Sequence, residues 1–148
     1  MFQNYSGKAI GAIMFARIEA GAHGAEAIGA EHLLFGLLRA DMDLINRFYP
    51  ADASLGRFLT LLEAQQATDG EEIPSSVELP LSAEVERILR YAAEEARGRA
   101  SKRVRSEHLL LGLLRAEDSA ASRILRECGM EASLIRSNLP PDEDADKV

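Results

Sequence analysis

Hydrophobic residues along this chain fall into helical stripes, and the stripes occur twice. In the first, Ala9, Ala12, Ile13, Ala16 and Ala20 recur at three- and four-residue intervals, the spacing of one helix face. In the second, Val85, Ile88, Leu89, Ala92 and Ala96 repeat that spacing. After each stripe comes a denser run, EHLLFGLLRA from Glu31 and EHLLLGLLRA from Glu107, identical at nine of ten positions. Leu33, Leu34, Leu37 and Leu38 make the first of these apolar around more than half its circumference. That pattern predicts a buried central helix in each half.

At an offset of 76, residues 5–40 align with 81–116 without gaps, and 13 of 36 positions are identical. Two copies are too few for a stacked array, so a pseudo-two-fold globule is expected. The fold class read from the sequence is all-α: eight helices in two four-helix repeats. Repeat one is placed at about 5–67, a linker at about 68–80, repeat two at about 81–139 and an acidic tail at 140–148, all within a single domain. Third helices are expected at about 41–49 and 119–128, with Gly129 as a natural stop, and fourth helices at about 54–67 and 131–138. The linker TDGEEIPSSVELP is polar, acidic and proline-bearing, and predicts no helix.

Three residue types refine the picture. Ser6 and Ser82 stand where a helix N-cap belongs, because a serine oxygen accepts an orphan amide hydrogen bond. Gly36 and Gly112 cost about 1 kcal/mol each inside a helix, which suggests that a neighbouring helix crosses closely there. His32 and His108 follow the glutamates, with no second His or Cys at zinc-site spacing, and read as structural hydrogen-bonding residues.

Composition then closes off several functions. The net charge of −7 argues against a nucleic-acid partner, which needs a basic face. One cysteine, Cys128, permits no internal disulfide and reads as a small core residue. No apolar run is long enough to span a bilayer, so no membrane association is expected. The N-terminal segment lacks the basic start of a secretory signal and is interrupted by Arg17 and Glu19; a cytoplasmic location is the expectation. Gly7-Lys8 has no upstream glycine and is followed by Ala9, so it is not a phosphate-cradling loop. With no nucleophile elbow, dinucleotide loop or paired catalytic carboxylates, neither enzymatic activity nor a cofactor or metal is expected.

Glu31 and Glu107 occupy the first turns of their helices, where the helix dipole favours an anion by up to about 1 kcal/mol. That alone accounts for them. A sharper reading makes them a matched pair of exposed carboxylates that receive cationic groups from a partner, since a carboxylate holds a guanidinium bidentately.

The segments YSGKAIGAIMFARIEA with EHLLFGLLRA, and LSAEVERILRYAAEEA with EHLLLGLLRA, resemble the Clp N-terminal repeat domain of the ClpA, ClpB and ClpC unfoldases, closer to the ClpC type. The resemblance covers about 135 residues. It implies an eight-helix, non-catalytic domain that docks adaptors or substrates for a Clp ATPase and its ClpP protease. As in some ClpC-type members, it also implies recognition of phosphorylated arginine, with Glu31 and Glu107 taking the guanidinium and Ser6 and Ser82 nearby for the phosphate. An alternative within the resemblance is an accessory subunit that binds and stabilises the ClpP core. The sequence departs from the family at Ala30, where Thr is usual, whereas Ser106 is kept. Loss of that cap is expected to cost the first copy about 1 kcal/mol and makes Glu107 the better site residue. The stretch ADMDLINRFYPADAS replaces a glycine-rich turn. The ATPase modules of the family are not found in this sequence, which leaves two expectations, an excised domain or a stand-alone protein; the start at Met1 and the acidic end favour the second.

Overall fold

A computed structural model describes residues 2–49, 55–65 and 70–139. They form eight helices: α1 (Gly7–Ala22), α2 (Ala30–Ala40), α3 (Met42–Phe48), α4 (Leu55–Gln65), α5 (Ala83–Gly98), α6 (Ser106–Arg115), α7 (Ala120–Glu127) and α8 (Ala132–Asn138). The expected acidic tail lies outside the described residues, as do parts of the expected helix-four and linker segments.

α1 and α5 bury the stripes read from the sequence: Ala9, Ala12, Ile13, Ala16 and Ala20 in one, Val85, Ile88, Leu89, Ala92 and Ala96 in the other. Each begins at a serine cap. The Ser6 hydroxyl accepts from the Ala9 amide at 3.2 Å and the Ser82 hydroxyl from the Val85 amide at 3.1 Å. α2 and α6 are the central helices; Leu33, Leu34, Leu37, Leu109, Leu110 and Leu113 are fully buried. α1 packs chiefly on α2, and α5 on α6, and α2 and α6 meet each other between the halves. α7 ends in a Schellman turn. Gly129 adopts φ 88°, the Met130 amide donates to the Leu125 carbonyl and the Gly129 amide to the Arg126 carbonyl.

The halves are clasped reciprocally. Tyr5 bridges Val104, and Ile28 bridges Leu81. Under the offset of 76, Tyr5 corresponds to Leu81 and Ile28 to Val104, so each bridge is the dyad image of the other. The hydrogen bonds obey the same exchange. The Ser6 amide donates to the Val104 carbonyl at 2.9 Å, and the Ser82 amide to the Ile28 carbonyl at 3.0 Å. Burying these segments satisfies their backbone groups and places the start of each repeat's first helix beside the start of the other repeat's central helix.

Residues 70–82 contain no helix but are tied to α1. The Ile73 amide donates to the Gly21 carbonyl, and the Arg17 guanidinium donates to the carbonyls of Pro74 and Val77.

Candidate functional site

The clasp decides which sequence-predicted residues meet. Ser6, Gly7 and Lys8 at the head of α1 share a cavity of about 520 Å³ with Arg105, Ser106 and Glu107 at the head of α6. Asp41, Asp43, Leu44 and Arg47 close it. Ser6 therefore stands with Glu107 of the other repeat, not with Glu31 of its own. Ser82 is dyad-related to Ser6, and its neighbour Glu84 lies close enough to Glu31 to feel its charge. The four residues thus divide across the dyad, Ser6 with Glu107 and Ser82 on the side of Glu31.

The central helices begin differently from the sequence expectation. Ala30 and Ser106 are the first helical residues, and the N-caps are Gly29 and Arg105. Neither cap side chain accepts a helix amide. Instead the third residue of each helix reaches back: the Gly29 amide donates to His32 Nδ1 at 2.9 Å, and the Arg105 amide to His108 Nδ1 at 2.9 Å. A histidine here does what Glu or Gln does in a capping box. The expected cap loss at Ala30 is therefore corrected, because the residue there was never the cap. The Ser106 hydroxyl is buried and donates to Asp41 Oδ2. The other Asp41 oxygen caps α3 through the Leu44 amide at 3.2 Å and lies 3.5 Å from Lys8 Nζ.

The glutamates are less exposed than their expected role as exposed carboxylates suggests: the Glu31 side chain is 26% accessible and the Glu107 side chain 21%. Their surroundings differ. Glu107 Oε1 lies 3.4 Å from Arg105 Nε, inside a cavity that also holds Lys8 and Arg47. The Glu31 carboxylate instead folds over Gly29, occupying the space where a Cβ at that position would stand. Position by position, Lys8 corresponds to Glu84, Arg105 to Gly29 and Asp41 to Glu117. Burial, reinforced by Glu31 and Asp118, raises the Glu84 carboxyl above the usual carboxylate range. One dyad-related site thus lines its cavity with Lys8, Arg47 and Arg105, and the other is more acidic, setting Glu31, Glu84 and Asp118 against Arg87, which pairs with Asp118 at 2.6 Å. Sequence reasoning missed Lys8, Arg47 and Arg105, because nothing local marks residues that only the dyad brings together.

Burial holds the His32 imidazole below the usual histidine range, against the opposing pull of Glu31 and Glu19. Protonation would also remove the Nδ1 acceptor that caps α2. The unfolded chain therefore takes up a proton, near its ordinary value of 6.5, that the folded chain refuses. Stability is complete above that value and falls as pH drops through it towards the lower folded value. Urea midpoints at about pH 7.5 and about pH 5.5 should show this loss, and His32→Gln, which keeps an acceptor for the Gly29 amide, should reduce it. An undiminished acid-side loss in that variant would assign the effect to other groups.

Among the described residues no group of three His, Cys, Asp or Glu side chains is placed to hold a metal ion, and no helix is long and apolar enough to cross a membrane.

Comparison with known proteins accords with this architecture. The chain matches the Clp repeat (R) N-terminal domain over residues 4–128 and 80–144. It is 32% identical over 145 residues to an ATP-dependent Clp protease ATP-binding subunit, a ClpA homolog, of Cyanidium caldarium. It is 33% identical over 141 residues to a chloroplastic ClpA homolog of Brassica napus. Each alignment takes in 94% of this chain but 16% of the relative, so the chain spans about a sixth of those proteins. Among solved structures, the N-terminal domain of the Clp-associated chaperone ClpD of Arabidopsis thaliana superposes with a TM-score of 0.68 at 24% identity, covering 93% of this chain and 92% of that one. The Hsp104 N-terminal domain of Candida albicans gives 0.71 at 21% identity, covering 91% and 88%. The match over residues 4–128 and 80–144 places this chain, with its duplicated helices, in the Clp repeat N-terminal domain family.

Proposed function

We propose that the chain is a non-catalytic docking module that presents adaptors or substrates to a Clp-type ATPase and its ClpP protease, and that it receives a phosphorylated arginine side chain in the cavity between the heads of α1 and α6. The observation that carries this reading is the mixed charge of that cavity. Phosphoarginine is an anion joined to a guanidinium and needs both kinds of partner. Glu107 offers a carboxylate for the guanidinium. Lys8, Arg105, Ser6 and the N-terminal turn of α1 offer cations, a hydroxyl and a helix dipole for the phosphate. The Glu31 side lacks the matching cations at Gly29 and Glu84, and is assigned no phosphate.

Calorimetry with phosphoarginine tests the site. Glu107→Ala is expected to weaken binding by about tenfold or more, the worth of a hydrogen bond to a charged group, while Glu31→Ala leaves it nearly unchanged. Equal tolerance of both changes would sink the assignment. Capture of the cognate Clp ATPase from its host supports the docking role. Capture of the ClpP core without the ATPase would favour the accessory-subunit reading instead.

A further inference from the structure

From the last turn of α5 to the start of α6 the chain reads RGRASKRVR, Arg97 to Arg105. Five of its nine residues are cations and none is acidic, in a chain whose net charge is −7. The dyad-equivalent stretch, residues 21–29, reads GAHGAEAIG and contains no Lys or Arg. The basic character therefore belongs to one repeat and is not demanded by the fold.

The loop is held in a defined shape. Ala100 takes φ 55°, its amide donates to the Arg97 carbonyl and the Ser101 amide to the Ala96 carbonyl, closing a Schellman turn at the end of α5. Ser101 Oγ accepts from the Arg103 amide and donates to the Arg103 carbonyl. The Val104 amide is fixed to the Asn4 carbonyl at 2.9 Å, and Arg99 Nη1 donates to the Arg136 carbonyl of α8. Arg97, Lys102 and Arg103 are exposed on this frame. A strong concentration of like charge on a pre-ordered backbone has little ordering entropy left to lose when a complementary chain binds.

We propose that this loop is a docking surface for an acidic, Asp- and Glu-rich peptide segment of a partner protein. A nucleic acid fits it less well. The loop contains no aromatic side chain on which bases could stack, and a long polyanion would run off it onto a net-negative surface. A segment of a few carboxylates matches its extent. At its far end Arg105 also lines the cavity assigned to phosphoarginine, so one partner chain can engage both; Arg97, Lys102 and Arg103 do not line that cavity.

Fluorescence anisotropy of the full chain with a labelled octapeptide of alternating Asp and Glu tests the surface. The expected result is binding at low ionic strength that weakens steeply with added salt. The combined variant Arg97→Gln, Lys102→Gln, Arg103→Gln should weaken it about tenfold while leaving phosphoarginine binding unchanged. Should that variant fail to fold, Lys102→Glu alone, at an exposed position, should lower the affinity measurably. No binding, equal binding by parent and variants, or tighter capture of a single-stranded RNA octamer through the same residues would overturn the proposal. Loss of phosphoarginine binding in Glu107→Ala with peptide binding intact would show that the two surfaces act separately.

Discussion

Gly36→Ala is expected to destabilise the protein by about 3 kcal/mol, lowering the melting temperature by about 6–12 °C at this chain size. In an unencumbered helix the same change should stabilise by about 1 kcal/mol, because Ala is the best helix former. The sign is reversed here by what a new Cβ would meet. At Gly36 it would run into the Ala12 carbonyl oxygen and come within 2.8 Å of the Ala16 amide nitrogen. Both are backbone atoms of α1, which cannot step aside as a side-chain tip can. α1 and α2 would have to separate, loosening the contact that buries Ala9, Ala12, Leu33 and Leu37. Gly112 repeats the arrangement on α6 against α5, with the Ile88 carbonyl oxygen at 2.6 Å and the Ala92 amide nitrogen at 3.1 Å. Gly112→Ala should therefore cost less, about 2 kcal/mol. Urea unfolding with an unchanged slope and a lower midpoint checks both values. A raised midpoint in Gly36→Ala would refute the close crossing.

That crossing was legible in the sequence, because a glycine kept in both copies of a leucine-rich helix has few other uses. The stripes of α1 and α5 and the stop at Gly129 were legible for the same reason: they depend on residues three to five positions apart. The starts of α2 and α6 were misread by one position. A capping box is normally recognised by Glu or Gln at its third helical position, and here histidine fills that place through Nδ1. The site was less legible still. Ser6 and Glu107 lie about a hundred residues apart in sequence and meet where the Tyr5–Val104 bridge joins the two repeats. Periodicity describes one helix at a time and carries no information on which repeat's helix head faces which.

Lys8→Glu is expected to reduce phosphoarginine affinity by about 100-fold, the largest functional effect of any single change considered. The argument comes from the dyad. Glu84 is the residue the other repeat places at the same position, so the substitution copies into the mixed site the charge found at the acidic one. It removes the ammonium that stands 3.5 Å from Asp41 Oδ1 and sets a carboxylate beside Asp41 and Glu107. The guanidinium end of the ligand would still find Glu107, but its phosphate would face the new carboxylate together with Asp41, Asp43 and Glu107, four in all, with only Arg47 and Arg105 in opposition. Lys8 is well exposed, so the change should leave the fold intact and the melting temperature within a few degrees of the parent. Calorimetry distinguishes the outcomes: affinity within about threefold of the parent would remove Lys8 from the phosphate side. The reverse change, Glu84→Lys, should relieve the repulsion between Glu84 and Glu31 and return its half towards the mixed character of the other. A second binding event in that variant would show that charge at this one position separates the two repeats.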